Sequence, residues 1–180
     1  LKALRDVGFD QYYQCEQTGW VLYLAGSTDL AILRALAIRL DHPVAETLSN
    51  GPFVHYVGNQ PQRARDHFYA LLEAKQDLCG IAIFDKLDKD LKTSGPLVET
   101  MWRKKELENY LCFEEVLLSY ARHDLPSDLF GEAEAQRREK LMRDSIREVV
   151  DALQTLRKKD PWSPDVKVSD DFLDPLFQKY

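Results

Sequence analysis

The chain of 180 residues has no apolar run near the roughly 20 residues that a membrane-spanning helix needs, so no membrane span is expected within it. Its three cysteines, Cys15, Cys79 and Cys112, are too few for a closed disulfide framework and lack the paired spacing of a zinc site. A reducing cytoplasm is the compartment that this usage implies. There is no initiator Met, and the opening "LKALRDVGFDQYYQ" has no apolar centre of the kind a signal peptide carries. It starts inside a helix-like pattern, so residues 1–19 are read as a lead-in from a longer polypeptide. Positive charge is in deficit as well. A formal net charge of −6 argues against a general nucleic-acid coat. It leaves a nuclease open, because a bound divalent metal and a local basic stripe reverse the field where it matters.

What is present is an alternation of strand and helix. "WVLYLAG" (20–26) is a short apolar run ending in Gly, read as a buried strand. "TDLAILRALAIRL" carries Leu30, Leu33, Leu36, Ala37 and Leu40 at helical spacing, with Thr28 as its N-cap and His42-Pro43 as its stop. "PFVHYVG" reads as a second strand and "PQRARDHFYALLEAK" as a second helix, with Pro61 in its first turn. "CGIAIFD" is a third strand that runs straight into acid. This rhythm predicts βαβ units and a mainly parallel sheet flanked by helices.

Beyond Asp85 the pattern changes. "KLDKDLKTSGPL" is a polar loop of functional length, "MWRKKELENYL" is read as a further strand or strand end, and "FEEVLLSYARH" as a helix. A long helix is expected from about Glu132 to Lys158. One stripe holds Met142, Ile146, Val149, Val150, Leu153 and Leu156, with Arg137, Arg138, Lys140, Arg143 and Arg147 around the rest. The tail "DDFLDPLFQKY" is read as a short capping segment.

In an open parallel sheet, ligands bind where the carboxyl ends of strands lead into helices. Asp29 follows the first strand by one tight turn, Asp85 closes the third, and Asp88 stands in the loop beyond. Carboxylates meeting there repel one another unless a cation sits between them, and hard oxygen ligands suit Mg²⁺ or Mn²⁺. Each acid also has a plainer reading. Asp29 in a first helical turn is favoured by the helix dipole whatever the function, and Asp88 and Asp90 serve as loop solubilisers. Glu106 and Glu108 would share one face on a strand and diverge on a helix, with Lys104 and Lys105 beside them to hold phosphate or neutralise the acids.

Strand, "x-G-S-T-D", amphipathic helix, then a later strand ending in clustered Asp resembles a Toprim domain. The closer resemblance is to the Toprim half of the overcoming-lysogenization-defect (OLD) family. It is carried by "GSTDLAILRALA", "YVGNQPQRARDHF", "GIAIFDKLD" and "WRKKELENYL", and spans about residues 20–118. The resemblance implies a Toprim-like Rossmannoid α/β fold with a Toprim catalytic core over 20–125 and a C-terminal helical extension over 126–180. It further implies an ABC-type ATPase domain upstream, DNA as substrate and a two-metal Mg²⁺ or Mn²⁺ phosphodiesterase site. Asp29 matches the second acid of the family's Glu-Gly-x-x-Asp/Glu motif. Asp85 matches the first acid of its Asp-x-Asp motif. Leu87 stands where the second acid is usual, and Asp88 falls one residue later. Glu108 resembles the downstream acid.

The leading Glu of the first motif corresponds to Ala25, whose methyl group neither binds a cation nor accepts a proton. Loss of a carboxylate that binds metal directly removes several kcal/mol of electrostatic stabilisation. The intact turn around Ala25 favours a deliberate substitution over a naturally impaired site, and the sequence leaves both open. The alternative function is a catalytically degenerate Toprim acting as a regulatory, dimerisation or nucleic-acid-binding module, with a homodimer and the basic helix as its partners' surface. A phosphoacceptor domain would also place an Asp at Asp85, but it needs an acidic pair after the first strand and a Lys after the last.

Overall fold

The computed structural model describes residues 8–180, which pack as two compact units divided between Trp102 and Arg103. The sequence boundary at 125–126 thus falls inside the second unit. Of the lead-in expected over 1–19, residues 1–7 lie outside the described residues. No helix among the described residues is long and apolar enough to cross a membrane.

The first unit runs α1 (Phe9–Thr18), β1 (Trp20–Leu24), α2 (Ser27–Arg39), α3 (Val44–Ser49), β2 (Val54–Tyr56), α4 (Pro61–Leu72), β3 (Cys79–Phe84) and β4 (Leu97–Met101). The strands form one wholly parallel sheet in the order β2-β1-β3-β4, with Tyr23 opposite His55 on one side and Ala82 on the other. The α/β architecture expected from the alternation is therefore present. β1 is central and apolar along its length because both of its faces are covered. Val21 and Tyr23 enter a core with Cys15, Phe53, Phe68, Leu71 and Phe84, while Leu22 and Leu24 meet Leu30, Ala37 and Leu48 on the opposite face.

α4 explains the alternation in its neighbour strands. Pro61 occupies its first turn, where the missing N–H costs nothing, and Ala64, Phe68 and Leu71 bury one stripe. β3 answers with Gly80, Ala82 and Phe84 facing inward. At Gly80 the helix comes so close that a Cβ would lie 2.7 Å from Phe68 Cε2 and 2.9 Å from Leu97 Cδ1. On the other face, Ile81 and Val98 are paired in register and remain exposed, so the α2–α3 layer does not extend past β1 to cover them.

The segment "MWRKKELENYL" departs from expectation. The fourth strand is Leu97–Met101, and of the acids beyond it Glu106 caps and Glu108 lies within a 3₁₀ turn, Leu107–Tyr110. That turn opens the second unit, followed by α5 (Glu114–Ala121), α6 (Leu129–Thr155), a π-helical turn (Ser169–Leu173) and α7 (Asp174–Lys179). Met142, Ile146, Val149 and Leu153 of α6 pack with Leu117, Leu118, Val168, Phe172 and Leu176. Val150 is at the margin of this core, and Leu156 is 69% exposed, so the stripe ends one turn earlier than its pattern suggests. α6 begins three residues before Glu132 because Asp128 caps it, accepting from Gly131 N–H at 2.7 Å. Gly131 hides this start in the sequence, yet any Cβ there would sit 1.8 Å from the Pro126 carbonyl oxygen. The tail does cap this unit, with Phe172 and Leu176 fully buried.

Gly80→Ala should lower unfolding free energy by about 1–3 kcal/mol, because the added methyl overpacks a rigid helix–strand contact. Urea melts of the two proteins check this. An unchanged midpoint would mean that α4 can move away from β3.

Candidate functional site at the strand ends

Strand order reverses between β1 and β3, since β1 leads to β2 on one side and the chain then returns past β1 to β3. At such a reversal the connections leave in opposite directions and open a crevice beyond the carboxyl ends. The chain leaves β1 through Ala25 and Gly26 into α2, and leaves β3 through Asp85. β2 contributes Gly58 and Asn59, and Asn59 Oδ1 accepts from Asp85 N–H at 3.0 Å. Val57 N–H donates to Leu24 O and Trp102 N–H to Phe84 O, so all four strand ends are tied at one edge.

Asp29 is half-buried and has a structural task. Its Oδ2 accepts from Ala25 N–H at 3.0 Å and Gly26 N–H at 3.1 Å, closing the turn over the first residues of α2. The helix begins at Ser27 with extended Gly26 as N-cap, so Thr28 lies in the first turn and is not the cap expected from the sequence. Asp29 Oδ1 makes no hydrogen bond among the described residues. Asp85 is half-buried beside this turn, and Asp88 and Asp90 are exposed in the loop beyond. Ala25 is half-buried at the end of β1 and brings no oxygen into the crevice.

No three His, Cys, Asp or Glu side chains among the described residues converge as a group that could hold a metal ion. Mg²⁺ does not need such a cage: it keeps several waters and binds through one or two carboxylates together with substrate phosphates. Asp29 and Asp85 are hard oxygen donors that follow the adjacent paired strands β1 and β3. Ala25 and Leu87, at the two positions where the resemblance expects acids, bring no carboxylate.

The loop after Asp85 is pinned. Leu87 and Leu91 pack on the core, and Glu99, whose side chain is fully buried on β4, grips the loop's far end. Glu99 takes both Arg65 Nε and Nη2 at 2.6 Å and Lys92 N–H at 2.8 Å, while its own N–H donates to Lys92 O. Burial pushes the Glu99 carboxyl up, but the Arg65 guanidinium and the Lys92 N–H outweigh it and leave it below the usual carboxylate range.

Glu108 belongs to the second unit. It borders an apolar groove with Leu111, Val116, Tyr120 and Phe177. Glu106 and Glu108 do not share a strand face. Glu106 is buried and accepts from Ser169 N–H at 2.6 Å, and Asn109 bonds Glu106 N–H at 3.0 Å and Val166 O at 3.0 Å. Lys104 spends its ammonium on Asn109 O at 2.8 Å and on the faces of Tyr110 and Phe113.

One cluster had no sequence signal. His55 of β2 and His67 of α4 stack with centroids 3.8 Å apart and planes 6° from parallel, beside an open cleft of about 760 Å³. His67 Nε2 lies 2.9 Å from Gln11 Oε1, so that nitrogen carries the proton, and Nδ1 accepts from Tyr23 O–H at 2.8 Å. Burial, then the neighbouring His55, lowers the His67 pKa to about 4. Only the pairing of β2 beside β1, with α4 above, brings these rings together.

Compared with known proteins, the chain matches no family model, no curated protein and no solved structure.

Two outcomes follow from these bonds. Asp29→Ala in the presence of a chelator should cost about 1–2 kcal/mol of stability, because two backbone donors lose their acceptor whether or not metal binds; denaturant melts measure it. The unfolded chain holds a proton on His67 between about pH 6.5 and 4 that the folded chain does not. His67's contribution is therefore complete above pH 6.5 and is lost as pH falls toward 4. Melts across that window should show the wild type losing more stability than His67→Gln; parallel losses would refute the assignment.

Proposed function

We propose that this chain is the Toprim-type domain of an OLD-like ATPase–nuclease, a divalent-metal-dependent phosphodiester hydrolase acting on DNA, impaired here by Ala25. The observation that carries the reading is topological. Asp29 and Asp85 follow the two strands, β1 and β3, between which the order of a parallel sheet reverses. The capping task explains Asp29 by itself, but it does not explain Asp85 at the end of the neighbouring strand, and ligands in such sheets bind at that reversal.

In this reading Asp29 Oδ1 and Asp85 would hold the ion, and Asp88 lies near enough in sequence to join through water. A bound Mg²⁺ or Mn²⁺ supplies Lewis-acid polarisation of a phosphoryl oxygen. The chain's own contribution is to fix the carboxylates: Asp29 through the Ala25–Gly26 turn, and Asp85 through Asn59 and the loop anchored on Glu99. Glu108, the downstream acid that the resemblance implies, belongs to the second unit and is left out of this ion site. What is missing is a carboxylate on the last residue of the β1 exit, where a proton acceptor and ligand would stand over the crevice.

The second reading, a degenerate domain that binds partners without cleaving, is favoured by one specific observation. Asp29 is already employed as a cap, and among the described residues it belongs to no group of three side chains that could hold a metal.

Ala25→Glu decides between them. With Mn²⁺ and supercoiled plasmid, the Glu version should nick DNA at least about 100-fold faster than the unaltered chain, consistent with restoring one electrostatic contact. Calorimetry should show it binding the metal, and Asp85→Asn in the same background should abolish both effects. A Glu version that stays silent in both measurements makes the chain a binding module.

A further inference from the structure

The basic helix that the sequence offers as a nucleic-acid surface is largely neutralised by its own neighbours. Arg137 and Arg138 both hold Glu134, at 2.7 and 2.8 Å. Arg143 holds Glu114 at 2.7 Å, Arg147 holds Asp144 at 3.2 Å, and Arg122 divides itself between Glu132 and Glu139. Lys140 of this helix makes no ion pair among the described residues, but a denser group of uncommitted cations lies past the C-terminal end of α6.

There a groove of about 440 Å³ is floored by Leu153 and Val166 and rimmed by Lys105, Arg157, Lys158, Lys159 and Lys167, with Asp165 and Asp171 as its acids. Lys158 is paired with Asp171 at 2.8 Å and Lys167 with Asp170 at 2.6 Å. Lys105, Arg157 and Lys159 make no ion pair among the described residues and are exposed. Two distant pieces of chain supply them. Arg157 turns the chain out of α6 in the left-handed region at φ 54°, and Lys105 is brought in by its own N–H donating to Pro164 O at 2.7 Å. A helix C-terminus favours cations by itself, which accounts for one or two positive groups after Thr155. It does not account for Lys105, which arrives from the far side of the sequence.

We propose that this groove binds the phosphate backbone of a polynucleotide, independently of the strand-end acids. Exposed cations gain little from a single small anion. A polyanion differs, because each phosphate neutralised releases condensed counterions and the gain repeats along the strand. Trp162 selects nucleic acid over an acidic peptide. It stands in the same connection between α6 and the π-helical turn, 38% exposed, with its ring set edge-on against Phe172 at 5.2 Å between centroids, so that it offers a rigid platform on which a base stacks. Lys105 and Lys159, both on the rim of the groove, then hold phosphates of the strand.

The test is fluorescence anisotropy with labelled single-stranded and duplex DNA, in a chelator and at about 50 mM salt, where backbone binding is strongest. The full chain should bind both. Replacing Lys105, Arg157 and Lys159 together by Gln should weaken binding at least about tenfold and flatten the plot of log affinity against log salt by about two. Trp162→Ala should weaken single-strand binding about tenfold and leave duplex binding within about twofold. A charge-matched control with Arg137, Arg143 and Arg147 changed to Gln should lose less than about threefold, since those groups are already paired. Absence of binding by the unaltered chain overturns the proposal, as does equal loss in the control, or retention of inorganic phosphate as an equally effective competitor. Circular dichroism of each variant shows that the fold is kept. Because no metal is present, the result stands whatever Ala25→Glu does in the cleavage assay.

Discussion

The strand-end architecture depends on Glu99. A carboxylate with no exposed side-chain surface would be costly without compensation, and Arg65 supplies it in bidentate form while Lys92 N–H adds a third donor on Oε2. The three groups come from β4, α4 and the loop that follows Asp85. One ion pair therefore holds together the edge strand, the helix over it and the segment leaving the crevice. It also meets the usual hazard of an edge strand, because the Glu99 N–H that points away from β3 is taken by Lys92 O and is closed to a stray partner.

Against that frame the acids divide by employment. Glu99 and Glu106 are buried and bonded to backbone donors within their own units, and both act as fasteners. Asp29 divides its two oxygens: Oδ2 closes the β1–α2 turn, and Oδ1 makes no hydrogen bond among the described residues. A carboxylate that is already positioned by backbone donors loses little freedom on meeting a cation, which is why a capping role and a ligand role are compatible in one side chain. Ala25, half-buried in the same turn, contributes its N–H to Asp29 and brings no oxygen of its own side chain.

Charge in the second unit follows the same economy. The arginines of α6 are matched along and across helices, so a stretch that is basic by composition is close to neutral in place. Lys105, Arg157 and Lys159 collect where α6 ends and the chain doubles back over the start of the unit. Position in the fold, more than content of the helix, decides which cations remain free to meet a polyanion.

The sequence by itself determined the α/β class, the alternation from β1 to β3, the amphipathic stripe of α6 and the placing of Asp29 and Asp85 just past strand ends. These are readable because burial repeats at fixed spacing along each element, and because Gly and Pro mark the exits. It did not reveal the order β2-β1-β3-β4 or Glu99 as a buried ion-pair partner. Nor did it reveal the His55–His67 stack, or the 3₁₀ turn that separates Glu106 from Glu108. Each of these is a relation between residues 12 to 63 positions apart or a local backbone choice made by packing. No one-dimensional period encodes such a relation. Asp29 shows the boundary most clearly: its location was legible from the turn, but the division of labour between its two oxygens was decided only when the strand, the glycine and the helix came together.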